Sequence, residues 1–155
     1  AYGSEQRLAD VPGTSLRRSR AAAANVVPDV PSADDFLISL WPELHNKVSG
    51  MTLRVPVANG SLVDMVATTR KPLTLPGVNE ALERAAEGRF KGVLVFGREP
   101  YVSTDVLGST ASCIYDSLAS MVQGERSVKL LGWYDNATGC VSRALEVAHL
   151  VGGMA

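Results

Sequence analysis

Between Gly50 and Thr69 the chain reads GMTLRVPVANGSLVDMVATT, two strand-like segments joined by Asn59-Gly60. Asn-Gly between alternating apolar positions is the strongest short-range hairpin signal, because both residues accept the positive φ of a tight turn. Leu53, Val55 and Val57 alternate onto one face, which leaves Thr52, Arg54 and Pro56 on the other. Pro56 has no backbone donor, so its strand is expected at a sheet edge or with a local break. Arg54 sits mid-strand on a rigid element, a fork-shaped donor suited to a carboxylate or a phosphate. It also reads as a solvated arginine on the open face of a half-buried sheet. The rest of the chain has to separate these two readings.

With 155 residues, 46% apolar and 20% charged, the composition is that of one globular domain with a sizeable core. A net charge of −1 provides no field favouring nucleic acid or an anionic membrane as a partner. No apolar run approaches the roughly 18 residues of a membrane span. Two cysteines, Cys113 and Cys140, are too few for a secreted disulfide framework and fit a reducing, cytoplasmic compartment. The chain starts Ala1-Tyr2-Gly3-Ser4 without a methionine, and is read as a piece excised from a longer protein.

Residues 1–31 are polar, punctuated by Gly and Pro, and locally basic. The run SLRRSRAAAANVV is open to two readings: a helix by propensity, or an ordered loop with one helical turn leading into extended Asn25-Val26-Val27. A helix follows, with Ser32 as candidate N-cap and Phe36, Leu37, Leu40 and Trp41 as its apolar face, stopped or kinked at Pro42. A second helix is expected over about 78–87, with a Glu80–Arg84 pair and Gly88 as terminator. Strands are expected at 92–96, 101–103, 110–115 and 127–134. A last helix is expected over about 140–151, with Val141, Ala144, Leu145, Ala148 and Val151 on one face. Strands in succession without βαβ alternation indicate an α+β fold: a mixed, mostly antiparallel sheet with helices covering one face.

Little in this chain looks catalytic. His45 reads as a solvated turn residue and His149 as a helix-end residue; no His, Cys or carboxylate cluster has metal spacing. There is neither a G-x-G-x-x-G fingerprint nor a phosphate-cradling P-loop. Cys140 falls at an expected helix N-terminus, where a thiolate is stabilised, but a packed, unreactive thiol is the favoured reading. Cys113 alternates within a strand and reads as core.

Three segments are specific: GMTLRVPVANGSLVDMV, EALERAAEGRFKGVLVF and VKLLGWYDNATG, in that order and spacing. They resemble the C-terminal catalytic domain of phosphorylating, NAD-dependent glyceraldehyde-3-phosphate dehydrogenases. AYGSEQRLADVP…LRRSRAAAANVVP is similar to that family's long S-shaped loop. The likeness covers essentially the whole chain, as one domain with the loop over 1–31 and an α+β core over 32–155, the Rossmann domain being absent. It implies a glycolytic oxidation in a homotetramer. A cysteine thiolate attacks the aldehyde with a histidine as base, NAD takes the hydride, and inorganic phosphate releases an acyl phosphate. The resemblance places both catalytic residues upstream of Ala1, and NAD mainly on the missing domain, so no catalytic residue is expected in this chain and the fragment alone is expected to be inactive.

What the resemblance assigns here is a binding wall. Arg54 matches the arginine that grips the substrate phosphate, Arg18 a second arginine lining the anion sites, and Asn136 the asparagine that orients the nicotinamide carboxamide. A turn-stabilising role for Asn136 stands beside that assignment. Departures lie at the phosphate sites. Gly3 stands where the family has a threonine, and Pro31-Ser32 replace a Thr-Gly pair, with only Ser32 keeping a hydroxyl. Asp29, Asp34 and Asp35 add negative charge nearby. A diverged, non-catalytic structural or regulatory relative, or an aldehyde dehydrogenase with altered phosphate use, is the alternative reading.

Overall fold

A computed structural model describes residues 6–29 and 33–153. The described residues divide into two compact units, one up to Ala58 and the other from Asn59 onward.

The first unit is mostly loop, tied by its own polar groups. The Gln6 amide nitrogen donates to the carbonyls of Arg17, Arg18 and Arg20. Asp10 Oδ1 accepts from the Ala21 amide at 2.7 Å. A single 3-10 turn, Ala22–Ala24, leads into strand β1, Val27–Asp29. Of the two readings of this run, the ordered loop with one turn is the one the chain adopts. Helix α1, Ala33–Leu40, stops before Pro42, whose ring cannot continue a helix, and a 3-10 turn over Pro42–Leu44 follows. The Ser32 cap lies outside the described residues. Phe36, Leu40 and Trp41, expected as a buried stripe, are exposed.

The hairpin expected across Asn59-Gly60 does not form. Strand β2, Thr52–Arg54, pairs antiparallel with β1, whereas β3, Ser61–Thr68, belongs to the other sheet. The reason lies at Pro56. The strand ends two residues before it, and the Val57 amide folds back onto the Val55 carbonyl at 2.7 Å, a tight three-residue turn that diverts the chain before Asn59. The turn chemistry of Asn59-Gly60 is nevertheless used. Gly60 has φ +89°, and a Cβ there would lie 2.3 Å from the Ser103 carbonyl oxygen. Leu53, expected on a buried face, is exposed.

In the second unit, β3 is joined by β4 (Leu94–Gly97), β5 (Cys113–Gln123) and β6 (Ser127–Tyr134) in the order β3-β6-β5-β4. Only β4 and β5 run parallel. This is the expected α+β arrangement with a mixed, mostly antiparallel sheet. β6 begins and ends where its apolar run does. β5 runs well past Tyr115, where its apolar alternation stops, because a bulge between Asp116 and Met121 absorbs the polar residues. Asp116 is buried there. Its Oδ1 accepts from the amides of Leu118 and Ala119, and its Oδ2 from Trp133 Nε1 at 2.9 Å. The Ser120 hydroxyl donates to the Asp116 carbonyl and accepts from the Leu131 amide, replacing the interrupted ladder.

The segment at 101–103, expected as a strand, is a turn: the Val102 amide donates to Asp105 Oδ2 at 2.8 Å. The same loop supplies the fully buried Val106, which packs with Ala111 and Ile114 against Tyr101 and Trp133. Helix α2, Leu75–Glu87, starts a few residues before the expected 78, since Pro76 is tolerated in a first turn that Thr74 caps. It ends at Gly88, as expected, and Glu80 and Arg84 pair at 3.8 Å. Its Asn79 accepts from the Tyr115 hydroxyl at 2.7 Å, joining helix to sheet.

Helix α3, Asn136–Gly152, starts four residues before the expected 140 because Asp135 caps it. Asp135 Oδ1 accepts from the amides of Ala137 and Thr138, and Oδ2 from the Gly108 amide at 2.8 Å. Gly139 lets this first turn approach the Ala111 carbonyl, which a Cβ would meet at 2.9 Å. Beyond it, Val141, Leu145 and Val151 of the expected apolar face are exposed.

Two outcomes follow from these contacts. Gly60→Ala should lower stability by more than the ~1–2 kcal/mol of left-handed backbone alone, because the added methyl also meets backbone; chemical denaturation reads it. The amide hydrogen bonds, that from Gly108 foremost, hold the Asp135 carboxyl below its ordinary pKa. A depressed folded-state pKa stabilises above the unfolded value and is lost as pH falls through the folded one. Asp135→Ala should therefore lower Tm at neutral pH by several degrees, with the gap to the parent protein closing as pH drops below about 4.

Candidate functional site

The β1–β2 register sets Arg54 opposite Val27. Side chains two apart on a strand share a face, so Asp29 lies diagonally across from Arg54, within reach of a long side chain. The Arg54 guanidinium takes that route: Nη2 donates to Asp29 Oδ2 at 2.9 Å and Nε to the same oxygen at 3.3 Å. From the loop, Arg18 Nη2 reaches the same oxygen at 3.4 Å, and Arg17 Nη1 donates to the neighbouring Pro28 carbonyl at 3.4 Å. Two of the residues singled out in the sequence, Arg18 and Arg54, are thereby brought together on one carboxylate.

Their surroundings differ. The Arg54 side chain is 17% exposed and that of Asp29 22%, against 46% for Arg18. Arg54–Asp29 is the desolvated pair, in which charge interactions exceed those of an open surface bridge; Arg18 is the solvated partner. The reading of Arg54 as a solvated arginine on an open face is excluded. A guanidinium fork on a rigid strand, flanked by a second guanidinium, can hold an anionic oxygen, and here the oxygen belongs to the protein.

Asn136 belongs to the second unit, as the first residue of α3, and is exposed. The turn-stabilising role weighed for it falls to Asp135 instead, which leaves the Asn136 amide, at once donor and acceptor, presented at the helix start. Gly3, Pro31 and Ser32 lie outside the described residues.

The two thiols are separate from these groups. Cys140 is exposed but stands a full turn inside α3, where backbone amides are engaged within the helix, so the argument for a thiolate at a helix start lapses. Burial pushes the Cys113 thiol up, away from the reactive form. Among the described residues, no group of three His, Cys, Asp or Glu is placed to hold a metal ion.

Asp29 is the residue that reading the sequence did not assign a partner. Its charge is visible there, but its pairing with Arg54 depends on which strand β2 joins, and the hairpin reading pointed to the wrong one.

The family model for "Glyceraldehyde 3-phosphate dehydrogenase, C-terminal domain" matches residues 1–136. The chain is 44% identical over 151 residues to glyceraldehyde-3-phosphate dehydrogenase of Geobacillus stearothermophilus, covering 97% of this chain and 45% of that protein. It is 41% identical over 152 residues to glyceraldehyde-3-phosphate dehydrogenase 2 of Streptomyces avermitilis, covering 98% and 45%. To glyceraldehyde-3-phosphate dehydrogenase 1 of Bacillus cereus it is 44% identical over 148 residues, covering 96% and 44%. The chain thus spans a little under half the length of the curated relatives it matches. The family-model match over residues 1–136, with relatives 41–44% identical along nearly the whole chain and an α+β fold that agrees with them, places the chain in the glyceraldehyde-3-phosphate dehydrogenase family, as a C-terminal domain of that family.

Proposed function

We propose that this chain is the substrate-binding part of an NAD-dependent, cytoplasmic oxidoreductase of glycolysis. The enzyme oxidises glyceraldehyde 3-phosphate with inorganic phosphate to an acyl phosphate. The observation that carries the reading, beside family membership, is the convergence of Arg54 and Arg18 on a single anionic oxygen. Arg54, on its strand, binds the phosphate of the aldehyde; Arg18 lines the anion sites beside it. Ser32 supplies a hydroxyl to the inorganic phosphate, while Gly3 and Pro31 offer less than a threonine would. The nucleophilic cysteine and the histidine base belong to the other half of the protein; neither Cys113 nor Cys140 has the setting of a nucleophile.

NAD, when bound, would be held mainly by that other half and would supply the hydride acceptor. The fit of this chain to the cofactor rests on Asn136, whose exposed amide is not spent on capping and can both donate to and accept from a carboxamide. Its part is orientation.

The protein is further proposed to act as a homotetramer. Support comes from Val63, Met65 and Val66 on β3, and Leu145 and Leu150 on α3, large apolar side chains left exposed in the chain by itself. Val66 is 68% exposed, so Val66→Asp leaves the fold intact and should lower the mass seen by sedimentation of the whole protein.

The test of the activity is NADH formation by a polypeptide that carries both halves, with and without inorganic phosphate. Turnover that does not need phosphate would support altered phosphate use instead. Arg54→Ala should raise KM for the phosphorylated aldehyde by about 10–100-fold, the worth of charge-assisted hydrogen bonds. An unchanged KM removes Arg54 from the site.

A further inference from the structure

Arg54 and Arg18 meet an anion supplied by the chain itself. Both Arg54 donors and Arg18 Nη2 converge on Asp29 Oδ2, at 2.9, 3.3 and 3.4 Å. A phosphate oxygen accepts from guanidinium groups in the same way, so carboxylate and phosphate call on the same donors. We propose that Asp29 is a tethered competitor for the two arginines, a specificity-determining residue that sets how tightly this site takes a phosphate group. The inference rests on the assignment of Arg54 and Arg18 to anion binding made above.

Three features carry it. The first is charge: the Asp29 carboxylate offsets part of the positive charge that Arg54 and Arg18 bring to it, which a neutral side chain at position 29 would not do. The second is tethering. Asp29 and Arg54 are fixed on paired strands, Asp29 opposite Thr52 and Arg54 opposite Val27, so the carboxylate is held at high local concentration beside the fork. The third is burial. With side chains only 17% and 22% exposed, the Arg54–Asp29 attraction is not screened to the level of a surface pair. An incoming phosphate must therefore displace the Asp29 carboxylate from Arg54, or bind against its charge.

The consequence is a site that discriminates by charge. A dianionic phosphate outcompetes one carboxylate, whereas a monoanionic ligand has no such advantage over Asp29.

The experiment is a calorimetric titration of inorganic phosphate into the protein and into Asp29→Asn, Asp29→Ser, Arg54→Ala and the Asp29→Asn/Arg54→Ala double variant. Circular dichroism checks each fold. Asn keeps the shape of the side chain and Ser shortens it, so either variant that folds reads the result. Phosphate should bind about 10–100-fold tighter when Asp29 is replaced, and the gain should vanish when Arg54 is also alanine. If Arg54→Ala weakens binding but neither Asp29 variant binds tighter than the parent protein, the competition is overturned and the arginine assignment stands. If Arg54→Ala binds phosphate as the parent does, or if no variant binds it at all, the arginine assignment falls and the inference with it.

Discussion

The candidate site depends on one carboxylate. Asp29 draws the β2 arginine and the loop arginine to a single oxygen, so loop, β1 and β2 are held by charge where apolar packing is thin. Leu53 on β2 is exposed, and β1 and β2 are three residues each. A two-stranded ribbon of that length has little stability of its own. The partly buried Arg54–Asp29 bridge, with Gln6 collecting three carbonyls of the loop, adds polar ties to the burial of Ala22 and Val27.

The same device recurs in the second unit, with a different purpose. Asp116 is nearly sealed from water, yet two amides and the Trp133 indole satisfy its carboxylate, and the strand bulges around it without losing its partner β6. Asp135 ends β6 and starts α3 by accepting from three amides. Both carboxylates are fully spoken for by the fold. Asp29 differs from them in its partners, two guanidinium groups rather than backbone amides.

How much of this was legible depended on the range of the forces. Local chemistry read well: Gly88 ends α2, the Glu80–Arg84 pair forms, and β6 matches its apolar run from Ser127 to Tyr134. Boundaries slipped where polar residues do structural work. Asp135 starts α3 early, and Asp116 with Ser120 carries β5 through residues whose pattern had ended a strand. The 101–103 segment has strand-like residues but belongs to a loop that buries Val106 fully in the core.

Arg54 on a short strand, the end of α2 at Gly88 and the span of β6 follow from the sequence by itself, because propensity, capping and alternation act between near neighbours. Its motifs, taken in order, also carry the family. What only the tertiary structure decided is which strand β2 joins. Pro56 turns the chain aside before the Asn-Gly turn, β2 pairs with a strand about 25 residues earlier, and Arg54 thereby finds Asp29. Pairing partners are chosen by long-range packing and by backbone donors that a proline removes, and no local pattern records that choice.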